Sequence, residues 1–167
     1  QIVEDVKKEF DNENTAYGTY ELGIMIEIPS AALSAEILAK EVDFFSIGTN
    51  DLIQYTFAAD RMNESLSYLY QPFHPSILRL IQMVTDAANK AGKWVGVCGE
   101  MASNLYAGPL LVGLGVKELS MTPSMILKMR KTFSHLSFKD LQQIASNVLE
   151  LESEEEILLQ LKEIIHI

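Results

Sequence analysis

Four short runs of apolar residues recur along this chain, and the segment after each run has the spacing of an amphipathic helix. The runs occupy residues 22–27, 44–48, 94–98 and 116–121. They are apolar at nearly every position rather than at alternate positions, which is typical of strands buried on both faces. Such strands, separated by helices, predict a parallel α/β sheet. None is followed by the glycine pattern GxGxxG, so a dinucleotide-binding fold is disfavoured.

Two of the predicted helices have clear start signals. Ser30 is a candidate cap for a helix reaching about residue 40, with Leu33 and Ile37 on one face. Pro75 is suited to the first turn of a long helix that runs to residue 90, and Gly92 is its stop. Near the end of the chain, Ser-x-x-Asp and Ser-x-x-Glu patterns predict capping boxes for two closing helices within residues 134–167.

The composition excludes several classes of protein. With 167 residues and 48% hydrophobic content, the chain can form one ordinary domain with its own core. The apolar segment 110–116 is too short to cross a bilayer, so no membrane insertion is expected. A net charge of −10 disfavours nucleic acid and anionic lipid as partners. Cys98 has no second cysteine to pair with, which favours a reducing cytoplasm.

The residues that follow the predicted strands indicate a binding site. In parallel α/β proteins such sites lie at the carboxyl ends of the strands, which here carry Glu27, Asp51 and Cys98. Two acids on neighbouring strand ends, with no histidine or second cysteine nearby, suit a hard cation such as Mg²⁺ or Mn²⁺. Glu27 and Asp51 are therefore candidate metal ligands. The alternative is that both cap helices, because acids favour helix starts.

Two further residues have a candidate role at the same edge. The turn 48–51 opens a helix whose N–H groups can bind an anion, and Arg61 beyond that helix could return to clamp it. The alternative for Arg61 is an ordinary surface arginine. Cys98 ends its strand next to Gly99, where a thiol can donate a proton to a carbanion. Its alternative is a small buried apolar side chain.

Several segments together resemble the C-terminal domain of phosphoenolpyruvate-utilising enzymes. This family includes pyruvate phosphate dikinase, phosphoenolpyruvate synthase and Enzyme I of the bacterial sugar phosphotransferase system. The segments that carry the resemblance are GIMIEIP at 23–29, DFFSIGTNDLIQ at 43–54 and CGE at 98–100. Those most similar to Enzyme I are AADR at 58–61, YLYQP at 68–72 and HPS at 74–76. The resemblance covers about residues 21–129.

The resemblance implies a (β/α)8 barrel of the TIM type, of which this chain would supply roughly the last four β/α units and the C-terminal helices. Residues 1–167 are then expected to be a single-domain fragment that ends in the helices of 134–167. Such a fragment would leave two edges of its sheet unpaired. We expect it to cover those edges by self-association, as a homodimer, or beneath its own helices.

The resemblance also implies roles for individual residues. Glu27 and Asp51 would bind Mg²⁺, with Mn²⁺ as a substitute. Asn50 and Asp51 would bind phosphoenolpyruvate, and Arg61 would hold its anionic groups. Cys98 would be the acid that protonates the enolate to give pyruvate.

In this family the phosphoryl group passes from phosphoenolpyruvate to a histidine on a separate domain. In Enzyme I that histidine passes it to the carrier protein HPr, and it finally reaches a sugar. The histidine domain and the first half of the barrel, with its arginines, are not in this sequence, so the chain alone is expected to have negligible turnover. Two alternatives stay open: a dikinase or synthase domain of the same superfamily, and a non-catalytic dimerisation or regulatory fragment.

Overall fold

A parallel sheet forms the centre of the structure, a computed structural model that describes residues 1–166. Its strands are β1 (Gly23–Ile26), β2 (Phe44–Gly48), β3 (Trp94–Cys98) and β4 (Glu118–Leu119). They lie in the order β1-β2-β3-β4, so each strand is hydrogen-bonded to the next in sequence. An order without reversal is that of a barrel segment rather than of a doubly wound sheet. The predicted parallel α/β fold is confirmed.

Helices fill the intervals between the strands. Their bounds are α1 (Ile2–Asn12), α2 (Pro29–Leu33), α3 (Ala35–Leu38), α4 (Thr49–Phe57), the 3₁₀ helix η1 (Glu64–Leu69), α5 (Pro75–Lys90), α6 (Glu100–Ser103), α7 (Ala107–Gly113), α8 (Pro123–Phe133), α9 (Phe138–Leu149) and α10 (Glu154–Ile164). The helix predicted from Pro75 is confirmed, and its first turn is capped by the preceding residue, His74, whose Nδ1 accepts from Ser76 N at 3.1 Å.

The helix predicted after Ser30 is interrupted. It breaks at Ser34 into α2 and α3, both of which contact α5. Its buried side is formed by alanines, including Ala32 and Ala35, whereas Leu33 and Ile37 are 65% and 68% exposed. Small side chains allow close approach to α5, and the two large residues are left on the outside.

The two faces of the sheet differ, which corrects the expectation of strands buried on both faces. The outer face carries alternating residues that are almost inaccessible, such as Ile26, Phe45 and Val97, and it packs against helices including α5. The other residues of each strand, such as Met25, Ser46 and Gly96, form the opposite face, which we call the inner face. Met25 on this face is 43% exposed, because no helix of residues 1–166 covers it as α5 covers the other side.

Aromatic residues fill the amino-terminal end of the inner face. The rings of Phe44 and Trp94 stack with centroids 4.3 Å apart, and a β-carbon on Gly23 would collide with the Phe44 ring. Trp94 Nε1 donates to Glu21 Oε2 at 3.0 Å. Since this end is occupied by large rings, the small and polar side chains of the inner face lie towards the carboxyl ends of the strands.

The C-terminal helices pack onto the last β/α units. Helix α9 lies against α7, and its predicted capping box is confirmed between Ser137 and Asp140. The second predicted box is only half formed, because the Glu156 carboxylate accepts from Glu152 N instead of closing onto Ser153. Ile167, the last residue of the expected domain, lies outside the described residues. Within 1–166 we find no helix with both the length and the apolar character needed to span a bilayer.

Candidate functional site

Glu27, Gly48 and Cys98 lie side by side at the carboxyl end of the inner face. Gly48 and Cys98 are register partners on β2 and β3. Glu27 directly follows β1, and its Oε1 is 2.7 Å from the position that a β-carbon would take on Gly48. The Glu27 carboxylate therefore lies against the backbone of Gly48 from one side, and Cys98 borders the same glycine from the other.

The Cys98 side chain is held by β2. Its Sγ donates to the Ile47 carbonyl at 3.7 Å and accepts from Ser46 Oγ at 3.8 Å, which are contact distances for sulfur. Thr49 Oγ1 donates to the Cys98 carbonyl at 3.1 Å. The thiol is partly exposed, so a ligand on the inner face can reach it.

Asn50, in the first turn of α4, bridges to the turn that follows β3. Its Oδ1 accepts from the backbone N–H of Glu100 at 3.1 Å and from the Tyr70 hydroxyl at 3.0 Å. These two donors occupy both acceptor directions of the amide oxygen. The NH₂ end of the Asn50 amide is therefore the group that can donate to a ligand.

Three charged side chains influence the pKa of the Tyr70 phenol. Burial is the main cause that raises the pKa of Tyr70 to about 12. The negative charge of Glu100 raises it further, as Asp51 does, whereas the positive charge of Arg61 opposes the shift. Asp51, Arg61 and Glu100 thus lie within electrostatic reach of one hydroxyl group. Arg61 is exposed, and its charge acts on the hydroxyl group that is bonded to Asn50.

A cleft of about 380 Å³ lies beside Asn50, Cys98 and Glu100. It is lined by Asn50, Cys98, Gly99, Glu100, Ser103, Ser120, Met121 and Thr122. A larger cavity of about 720 Å³ lies between α8 and the end of α10, away from the strand ends. Of the candidate residues, Asn50 and Cys98 line the smaller cleft, whereas Glu27, Asp51 and Arg61 are not part of its lining. Its volume suits a small organic anion.

Comparison with known proteins decides between the classes of parallel α/β protein. The family profile described as "PEP-utilising enzyme, PEP-binding domain" matches residues 1–138. The chain belongs to this family. The family predicted from the sequence is confirmed, and a four-stranded parallel sheet flanked by helices agrees with part of a TIM-type barrel.

Curated relatives named phosphoenolpyruvate-protein phosphotransferase match this chain, and three of them illustrate the similarity. That of Listeria monocytogenes is 61% identical over 137 residues, which cover 82% of this chain and 24% of the relative. That of Priestia megaterium is 56% identical over 147 residues, or 88% of this chain and 26% of the relative. That of Staphylococcus aureus is 56% identical over 138 residues, which cover 83% of this chain and 24% of the relative. The chain thus spans about a quarter of the length of the curated relatives it matches.

The donor set of this PEP-binding domain fits a hard divalent cation. Glu27 follows β1, and Asp51 lies in the first turn of α4, the helix that follows the neighbouring strand. No group of three or more His, Cys, Asp or Glu side chains with metal-binding geometry occurs within residues 1–166. Carboxylates are the donors that Mg²⁺ prefers, so Glu27 and Asp51 are the residues that would hold a cation at this edge, with water and substrate oxygens completing its shell.

The sequence did not identify every residue of this PEP-binding domain that borders the site. Ser46, Tyr70 and Glu100 were named only as parts of the segments that carry the resemblance, and no role was predicted for any of them. Ser46 has a recognisable signal, since it is the single hydroxyl residue within the apolar run 44–48. The bond of Tyr70 to Asn50 has no local signal, because the two residues are 20 positions apart in sequence.

Proposed function

We propose that this chain is the phosphoenolpyruvate-binding part of a phosphoenolpyruvate-protein phosphotransferase, the Enzyme I of a bacterial sugar phosphotransferase system. The whole enzyme would move the phosphoryl group to a histidine outside this chain and then to HPr, with release of pyruvate. The observation that carries the proposal is the convergence of Glu27, Asn50 and Cys98 at one edge of the sheet. The names of the three relatives support it.

The substrate has several negative charges, and the site offers matching donors and cations. The Asn50 NH₂ group and the first N–H groups of α4 can donate to its oxygens. Arg61 would place a positive charge beside them. Glu27 and Asp51 would hold Mg²⁺, which when bound neutralises charge on the enolate and phosphate oxygens.

Cys98 would supply the proton that completes pyruvate. The S–H bond breaks as a C–H bond forms at the methylene carbon of the enolate, and the sulfur is left as a thiolate. The Ser46 hydroxyl, which donates to Sγ, can stabilise that thiolate. A thiol with this role has to stay reduced, which supports a cytoplasmic location.

A homodimer is also part of the proposal. The strands β1 and β4 are the outer strands of the sheet, and each has one edge without a strand partner within residues 1–166. Leu33 on α2 and Ile37 on α3 add exposed apolar surface. A second copy could cover either surface, and sedimentation at rising protein concentration measures whether it does.

The test of this function is a hybrid in which this chain replaces the matching quarter of the Listeria monocytogenes relative. We expect the hybrid to form pyruvate from phosphoenolpyruvate and to phosphorylate HPr. Glu27→Gln and Asp51→Asn should each lower kcat/KM by about 100-fold or more, because charge neutralisation by the cation is lost. The control is Glu41→Gln, an exposed acid before β2. Full activity of the Glu27→Gln hybrid would contradict the proposal.

A further inference from the structure

Tyr70 lies between η1 and α5, and its hydroxyl joins two other elements through Asn50. It donates to Asn50 Oδ1 at 3.0 Å, and the Glu100 N–H donates to the same oxygen at 3.1 Å. We propose that Tyr70 is a positioning residue, which holds the Asn50 amide so that its NH₂ end is presented to an anionic substrate. The inference rests on the function proposed above and adds to it a residue outside the carboxylates, Arg61 and Cys98.

An asparagine amide needs such support because its two ends have the same shape and opposite hydrogen-bonding character. A backbone N–H can only donate, so the Glu100 N–H requires the oxygen of Asn50 and not its nitrogen. One bond leaves the amide able to tilt away from that donor. A second bond from Tyr70, approaching from another element, fixes the plane and position of the amide.

The Tyr70 hydroxyl is suited to donate at neutral pH. Its pKa of about 12, raised mainly by burial, keeps the phenol protonated. Leaving a half-buried hydroxyl without a hydrogen-bond partner costs free energy. The bond to Asn50 is therefore favoured over a conformation in which it is broken. The phenol therefore acts as a constant support rather than as an acid or a switch.

We infer that the NH₂ group of Asn50 is available to a ligand, because it has no other use among the described residues. No acceptor for the Asn50 NH₂ group is found within residues 1–166, and Asn50 lines the cleft that also contains Cys98. The two hydrogens of that group are thus what Asn50 offers to a ligand. Their position depends on the oxygen end, which Tyr70 and Glu100 hold.

The chain contains a matched control for Tyr70. Tyr68 lies in the same segment, is 68% exposed, and makes no side-chain hydrogen bond within residues 1–166. Tyr70→Phe and Tyr68→Phe remove the same hydroxyl from the same type of residue. An effect that is specific to the Tyr70 hydroxyl should be seen in Tyr70→Phe and not in Tyr68→Phe.

The first measurement is the affinity for phosphoenolpyruvate in the presence of Mg²⁺, obtained by NMR titration of the chain. Tyr70→Phe should weaken it by about three- to tenfold, the usual effect of one hydrogen bond, and Tyr68→Phe should not change it. In an Asn50→Ala background, Tyr70→Phe should have no further effect. An equal loss in both backgrounds, or no loss in either, would overturn the inference.

The second measurement needs no substrate: hydrogen exchange of the Glu100 backbone amide. Tyr70→Phe should speed this exchange several-fold, while amides at the centre of α5 keep their wild-type rates, because only the hold on Asn50 is loosened. Unchanged exchange at Glu100 overturns the inference whatever the titration gives. If the wild-type chain binds no phosphoenolpyruvate, the proposed function fails, whereas faster Glu100 exchange in Tyr70→Phe still establishes Tyr70 as the support of Asn50.

Discussion

The carboxylate of Glu27 occupies space that a side chain on Gly48 would need. Its Oε1 and Cγ lie 2.7 Å and 2.8 Å from the position of a β-carbon on Gly48. The backbone of Gly48, with φ −85° and ψ 88°, is accessible to other residues, so conformational freedom does not explain the glycine. The glycine is explained by the close approach of the Glu27 side chain, which leaves no room for a β-carbon. The position of a candidate metal ligand just after β1 therefore depends on the absence of a side chain at Gly48 on β2.

Gly48→Ala should displace Glu27 and abolish the effect of Mg²⁺ on phosphoenolpyruvate binding, with little loss of folding stability. The matched control is Gly96→Ala on the same face, where a β-carbon would meet its nearest neighbours at 3.4 Å and 3.5 Å, which are ordinary contacts. Titration with phosphoenolpyruvate, with and without Mg²⁺, distinguishes the two variants. Mg²⁺-dependent binding by Gly48→Ala would show that the position of Glu27 is not required.

Gly99→Ala should destabilise the protein through its backbone. Gly99 has φ 100° and ψ −171°, a region that is essentially restricted to glycine, so the substitution should cost about 1–3 kcal/mol. A β-carbon there would also lie 2.6 Å from Thr49 Oγ1, which adds to the cost. Gly92→Ala, with φ 69° and open space around it, should cost about 1–2 kcal/mol from φ alone. Urea denaturation measures both, and we expect the larger loss in Gly99→Ala; a smaller loss there than in Gly92→Ala would contradict this prediction.

Cys98→Ala should separate the two halves of the reaction in the hybrid enzyme. Transfer of phosphate to the histidine should continue, whereas incorporation of a solvent proton into the methyl group of pyruvate should slow by about 100-fold or more. Rapid-quench assays for phosphohistidine and for deuterated pyruvate measure the two steps. Unchanged pyruvate formation would remove Cys98 from the mechanism.

Glu154→Gln should stabilise the protein more at neutral pH than in acid. Partial burial raises the pKa of Glu154 above its ordinary value of 4.5, against the opposing effect of the bond from Phe73 N. The folded state thus binds this proton more readily than the unfolded state, so stability is lost as pH rises through the raised pKa. Glutamine keeps an acceptor for Phe73 without the charge. Urea denaturation between about pH 4 and pH 7.5 measures the difference, and Glu163→Gln, exposed on the same helix, is the control.

The sequence predicted those features that depend on local pattern. The strands, the start and end of α5, and the capping box at Ser137 are each encoded in a few neighbouring residues. The positions of Glu27, Asp51 and Cys98 at or just beyond the strand ends were predicted for the same reason, because the end of an apolar run locates the carboxyl end of a strand. Neither the roles of these residues nor the presence of a cation follows from that pattern alone.

The remaining features depend on contacts between distant segments. The bond between Ser46 and Cys98 joins residues 52 positions apart, and no local signal predicts it. The break at Ser34 follows from packing of alanines against α5, which overrides the helical spacing of Leu33 and Ile37. Burial of the strands on one face only was missed because an apolar run does not say which elements cover it.

The central claim is that phosphoenolpyruvate and Mg²⁺ bind together at the edge formed by Glu27, Asn50 and Cys98. An NMR titration of the chain with phosphoenolpyruvate, with and without Mg²⁺, tests it directly, and it detects affinities as weak as about 1 mM. We predict Mg²⁺-dependent shifts of the amides in 48–51 and 98–100, lost in Glu27→Gln and kept in Glu41→Gln. Shifts that do not depend on Mg²⁺ or Glu27, or that occur only elsewhere in the chain, would contradict the account.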